Sequence, residues 1–181
     1  MIVILMVMLL SCTPTEHKPA DFELDRSIPT EEAYNIQLNY SDSGLKQIQM
    51  EAPEIFRYGN AEEPYTEYPK GVHVLFYDRY GQVNSTITSN YAIQYDQKKI
   101  TEARNDVVVV NRKGETLNTE HLIWDEKEEK IYTEEFVRIT TENESITGYG
   151  FEADQEFNSY TIKKIRGTIN FKEDEDSISG S

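Results

Sequence analysis

The chain has 181 residues, 38% of them hydrophobic, with 18 Lys and Arg against 33 Asp and Glu for a net charge of −15. That length fits one domain with short tails, and the apolar share excludes both a disordered chain and a polytopic membrane protein. The acidity argues against a nucleic-acid partner and against docking on anionic headgroups by charge, because both need clustered Lys and Arg.

The lone cysteine excludes a disulfide framework and a Cys-based structural zinc site. His17, His73 and His121 lie far apart, no pair has the i, i+4 spacing of a zinc helix, and no metal is expected.

In chain order, Met1 to Leu10 is an unbroken apolar run. As a helix it would span ~15 Å, half the ~30 Å of a hydrocarbon core, which suits the apolar region of an export signal. The run ends Leu9-Leu10-Ser11-Cys12, which resembles the bacterial lipobox, where cleavage precedes a cysteine that is then lipidated. No Lys or Arg precedes it. Residues 1–11 are therefore expected to be a signal sequence and Cys12 a lipid-bearing membrane anchor, with an uncleaved hydrophobic anchor as the alternative. Residues 12–33, polar and carrying Pro14, Pro19 and Pro29, are expected to be a linker.

From residue 34 to residue 171 the pattern is that of short strands. Val72, Val74 and Phe76 alternate and run into the turn Asp78-Arg79-Tyr80-Gly81. Val107 and Val109 lie in an apolar run that closes at Asn111-Arg112-Lys113-Gly114. Leu117, Thr119, Leu122 and Trp124 follow, then Ile131 and Thr133, then Val137, Ile139 and Thr141, and Ile146 and Gly148 open another run. β-branched and aromatic residues dominate, turn signals recur every ~8–12 residues, and no proline follows Pro69, so a β-sandwich or barrel is expected. Residues 172–181 are acidic and then small, the composition of a disordered tail.

A repeat runs through the strands. Tyr91 to Asp96, Glu120 to Asp125 and Tyr149 to Asp154 each end in Asp, 29 residues apart. Each reads as a strand with bulk at every second position (Ile93 and Tyr95; Leu122 and Trp124; Phe151 and Ala153), an Asp-led turn and a return strand. Such units cannot bury an apolar face alone, so they are expected to stack. The three Asp residues are read as turn formers, bonding nearby backbone N–H groups, rather than as metal ligands or acid–base groups.

The pieces Tyr95-Asp96, Val107-x-Val109, Gly114-Glu115-x-Leu117, Leu122-x-Trp124-Asp125, Ile131-x-Thr133, Val137-x-Ile139 and Ile146-x-Gly148-x-Gly150 together resemble the OstA-type fold of lipopolysaccharide transport proteins. Upstream, Ile48-x-Met50 leads to Ala52-Pro53, and Tyr68-Pro69-x-Gly71-Val72 precedes Phe76-Tyr77-Asp78; that order is similar to the LptC family rather than to LptA. The resemblance implies an all-β, twisted open jellyroll of two V-packed antiparallel sheets. It implies a periplasmic protein at the inner membrane of a Gram-negative bacterium, with no chemistry and no cofactor. Such a protein accepts lipopolysaccharide from the subunits of an inner-membrane ABC transporter and passes it to an LptA-like bridge, with partners joining edge to edge through strands.

The acyl chains would lie between the sheets. The candidate groove residues are Val72, Val74, Phe76, Ile93, Tyr95, Val107, Val109, Leu122, Trp124, Val137, Ile139 and Phe151, each of which would otherwise be plain core. No GxSxG, Gly-rich phosphate loop or His-centred cluster supports an enzyme. A structural envelope lipoprotein with a dry β core, or an LptA-like bridge protein, are the other readings.

Overall fold

The structure, a computed structural model, describes residues 26–155, 157 and 159–170. Cys12, the signal sequence and the acidic tail lie outside the described residues. Eleven antiparallel strands make up the fold: β1 (Glu31–Asp42), β2 (Leu45–Tyr58), β3 (Tyr65–Tyr68), β4 (Val72–Tyr77), β5 (Val83–Ser89), β6 (Tyr91–Tyr95), β7 (Ile100–Asn111), β8 (Thr116–Asp125), β9 (Lys130–Thr140), β10 (Glu144–Asp154) and β11 (Tyr160–Asn170). The all-β architecture expected from the alternation is present, and it is consistent with the jellyroll-like fold that the resemblance implies. β1 starts inside the stretch read as linker: Glu31 and Glu32 already pair with Arg57 and Phe56 of β2.

β7 to β11 form a meander of long hairpins, each strand beside its sequence neighbour. The fold departs from a simple meander because two long strands each take two partners along one edge. β7 pairs with β8 on one side; on the other it pairs with β6 at Ile100–Arg104 and with β5 at Val108–Asn111. β2 likewise pairs with β1 on one side and, on the other, with β4 at Ile48–Glu51 and with β3 at Phe56–Tyr58. Since β4 pairs with β5 and β3 with β6, the six strands β2, β4, β5, β7, β6 and β3 close a ring. The long strands β2 and β7 form its two walls, joined through β4–β5 on one side and through β3–β6 on the other.

Both forks have local causes. Where β7 changes partner, Asn105 and Asp106 take φ values of 63° and 54° and form a bulge between Arg104 and Val107. Asn and Asp tolerate this left-handed conformation better than other non-glycine residues. The freed Asn105 carbonyl accepts the N–H of Asn90, the residue between β5 and β6, at 2.9 Å. Where β2 changes partner stands Pro53, whose missing N–H could serve no ladder. Opposite it, Gly71 turns the chain from β3 into β4 at φ +81°, its N–H donating to the Tyr68 carbonyl at 3.1 Å.

The main core lies against the inner face of the β7–β10 meander, with Val107, Ile131 and Val137 fully buried among Val109, Leu117, Leu122, Ile139 and Phe151. A second cluster, Ala52, Tyr68, Val72 and Ala92, fills the fork side of the ring. Among the described residues no helix is long and apolar enough to cross a membrane.

Candidate binding cavity

Strands of the ring, together with β8, line a cavity of about 90 Å³. β2 contributes Ile48 and Met50, β4 contributes Val72, Val74 and Phe76, and Tyr68, Ile87, Ala92, Ala103, Leu122 and Trp124 complete the apolar lining. Strand alternation sets this lining: every second residue of β4 and of β8 points inward, and their intervening neighbours point outward. Phe76 and Trp124 meet edge to face across it, with ring centroids 5.5 Å apart and planes at 82°.

The polar lining is confined to one end. Gln94, Thr101 and Trp124 are ladder neighbours across β6, β7 and β8, and all three line the cavity. There the Tyr68 hydroxyl donates to Gln94 Oε1 at 3.2 Å, and Gln94 Nε2 donates to Glu126 Oε1 at 3.1 Å. Burial, followed by the negative charges of Asp96 and Glu126, pushes the Tyr68 phenol up to about 12, so it stays a neutral donor at physiological pH.

The twelve residues proposed for a groove divide into four groups. Val72, Val74, Phe76, Leu122 and Trp124 line the cavity. Val109, Ile139 and Phe151 border a gap of about 20 Å³ further along the same core, closed by Phe157 and Tyr160. Val107 and Val137 are packed solid. Ile93 and Tyr95 do not line the cavity: Ala92 and Gln94 point into it from β6, so alternation places Ile93, which is buried, and Tyr95 on the strand's other face.

The cause is a one-residue slip in the repeat. Tyr95 and Asp125 are both partners of Ile100, so Asp125 corresponds to Tyr95 in the ladder and not to Asp96. Aligning the Asp residues therefore puts the first unit out of phase, and a slip of one inverts the faces of a strand. The turn reading itself holds for two of the three Asp residues. Asp125 Oδ1 accepts the N–H groups of Lys127 and Glu128 at 2.9 and 3.1 Å, and Asp154 Oδ2 accepts that of Ser159 at 2.8 Å. Asp96 instead pairs with Arg57 at 3.2 Å. Ile48, Met50, Ile87, Ala92 and Ala103 line the cavity without being among the sequence candidates. For Ile48 and Met50 the alternation is a visible signal; for Ala92 and Ala103 only small size marks them.

Two strands, β1 and β11, have a single neighbour each among the described strands. Their charges are opposite. β1 carries Glu31, Glu32 and Asp42 and no Lys or Arg, whereas β11 carries Lys163, Lys164 and Arg166 and no Asp or Glu. Lys163 pairs with Glu134 of β9, and the Arg166 guanidinium lies 5.7 Å from the Tyr149 ring centre.

The fold thus sets an apolar cavity inside an antiparallel β architecture with open edges, and among the described residues no cluster of His, Cys, Asp and Glu could hold a metal. The family whose model matches residues 1–170 is LptC, described as lipopolysaccharide-assembly, LptC-related, and the chain belongs to that family. It is a transport and binding family that works in lipopolysaccharide transport, at the inner membrane and periplasm of Gram-negative bacteria. No curated protein matches the chain.

Proposed function

We propose that this protein is a lipopolysaccharide carrier that takes its cargo from the inner-membrane Lpt ABC transporter and hands it to an LptA-like bridge, tethered to the membrane through Cys12 or an uncleaved N-terminal segment. The observation that carries this reading is the apolar lumen, whose polar groups are gathered at one end. That arrangement suits a molecule with a polar head and long apolar tails.

The cavity as it stands is too small for a whole acyl chain, because a void of about 150 Å³ admits only a benzene. Loading therefore requires the walls to part. At ~0.8 kcal/mol per buried CH₂, about ten methylenes supply roughly 8 kcal/mol toward that opening. The ring is suited to it, since β4–β5 and β3–β6 are separate two-strand bridges between the walls. Further apolar surface extends outward along β1, where Ile36, Leu38 and Tyr40 are ladder partners of Ala52, Met50 and Ile48. Leu38 and Tyr40 are exposed.

The edges of β1 and β11, unpaired among the described strands, support the hand-over. An exposed strand can add a partner strand through main-chain hydrogen bonds. The basic β11 edge suits an acidic partner edge and the acidic β1 edge a basic one, which gives the relay a direction.

The test is photocrosslinking in cells. A crosslinking residue at Val74 or Trp124 should capture lipopolysaccharide, and one at Lys127, in the exposed β8–β9 turn, should not. A folded, exported protein that gives no adduct from either inward site would refute the carrier reading and leave a structural lipoprotein.

A further inference from the structure

The net charge is −15, yet one face of the sheet gathers cations. Tyr149 of β10 stands opposite Phe136 of β9 and Lys164 of β11, and Thr147 stands opposite Arg138 and Gly167. Ladder partners point to the same side of a sheet. Val137, between Phe136 and Arg138, is fully buried, so this side is the outer one. Phe136 and Tyr149 are exposed there and pack edge to face, with ring centroids 5.5 Å apart. The Arg166 guanidinium joins them over the Tyr149 ring.

Arg138, Lys164 and Arg166 are all exposed, and none makes an ion pair with a described residue. β11 contains no acid, and Glu134 and Glu152 on the neighbouring strands already hold Lys163 and Lys130. Like charges gathered on one face repel, and an anionic segment laid across them relieves that repulsion.

The chain carries such a segment directly after β11. Residues 173–176 are Glu-Asp-Glu-Asp, the only four consecutive acids in the sequence. They lie outside the described residues and begin three residues past Asn170, where β11 ends. Six residues of extended chain span ~20 Å, as far as Lys164 lies from Asn170 along β11. Arg138 is nearer, two strand spacings or ~10 Å across from Gly167.

We propose that the 173–176 segment folds back over this outer face and pairs with Arg138, Lys164 and Arg166. Its tether holds it near the face at an effective concentration on the order of millimolar, an advantage no free anion has. An acidic partner must displace it, so the segment is an internal competitor at β11. The competitor role rests on the edge hand-over described above; the contact itself does not.

NMR of the full-length protein tests the contact, against a variant carrying Glu173→Gln, Asp174→Asn, Glu175→Gln and Asp176→Asn. The side-chain N–H signals of Arg138 and Arg166 and the backbone signals of Tyr149 and Lys164 should differ between the two proteins. Salt at ~0.5 M should erase the difference. A synthetic peptide of residues 171–181 should bind the neutralised variant about threefold to tenfold more tightly than the natural protein, the ratio that a few exposed ion pairs support. It should not bind an Arg138→Gln/Lys164→Gln/Arg166→Gln variant. An LptA-type partner should associate faster with the neutralised variant.

Identical spectra for the natural and neutralised proteins would overturn the proposal. Differences that grow with protein concentration would assign the face to the tail of a second copy and overturn the fold-back. Phosphatidylglycerol vesicles that bind this face equally with and without the tail charges would assign it to a bilayer and overturn it too. Equal partner association despite the contact would overturn the competitor role. If charge reversal on β11 also leaves that rate unchanged, it is the edge hand-over that fails. If the triple cation variant does not fold, the salt and peptide titrations of the other two proteins decide alone.

Discussion

Gly71 is the position where a single added methyl group should cost most for its size. A Cβ there would lie 2.0 Å from the Ser89 carbonyl oxygen and 2.9 Å from the Asn90 Cα, both backbone atoms that cannot swing aside. Its φ of +81° adds the penalty of a left-handed residue, ~1–2 kcal/mol. Forcing the β3–β4 turn away from Ser89 adds ~1–3 kcal/mol, the usual cost of overpacking. The stiffer unfolded chain returns ~0.4–1 kcal/mol. Gly71→Ala should therefore lose about 1–5 kcal/mol, a large part of the ~5–15 kcal/mol that holds a domain folded.

Gly81 is the control. It has φ +75° and nothing within 4 Å of the place a Cβ would occupy, so Gly81→Ala bears the conformational cost alone, about 1 kcal/mol or less. Urea unfolding of both variants measures the difference. The gap should be at least about 1 kcal/mol, the lower end of the overpacking cost. Equal midpoints for the two variants would refute the close approach of the turn to Ser89. Because Tyr68 and Val72 flank this turn and line the cavity, Gly71→Ala should also weaken binding of an acyl probe.

Ser85→Ala should stabilise the protein by about 1 kcal/mol, because it removes a buried hydroxyl that has no hydrogen-bond partner among the described residues; a loss in chemical denaturation would show that the hydroxyl has one. Acid should destabilise the fold through Asp78 and Glu102. The N–H groups of Gln82 and Tyr80, with Arg112, hold Asp78 below the ordinary carboxylate range against the effect of burial. Burial raises Glu102, but Arg104 and His121 outweigh it and hold that carboxyl low as well. Both folded values lie below the unfolded ones, so this stability is complete above the usual carboxylate range and is lost as pH falls through the folded values. Unfolding midpoints should drop on acidification, and less steeply in an Asp78→Asn/Glu102→Gln variant. Reversing charge along the free edge, with Lys163→Glu, Lys164→Glu and Arg166→Glu together, should slow association with an LptA-type partner by about tenfold and flatten its salt dependence, read by surface-binding kinetics; an unchanged rate would move the contact away from β11.

Strands, turns and most inward faces were legible in the sequence, because they follow from period-2 alternation and from local turn chemistry. Val72, Val74 and Phe76 could point only one way once Asp78 turned the chain, and the Asp125 and Asp154 turns are built from hydrogen bonds a few residues long. The rest came from long-range pairing and packing. In β6, Ala92 and Ile93 are both apolar, so composition could not say which faced inward; pairing with β7 and β3 put Ala92 in the lumen. The ring depends on β2 and β7 each dividing one edge between two partners distant in sequence, at Pro53 and at the Asn105–Asp106 bulge. That the buried Trp124 N–H has no hydrogen-bond partner among the described residues is likewise a property of the folded interior, set by the neighbours that packing gives it.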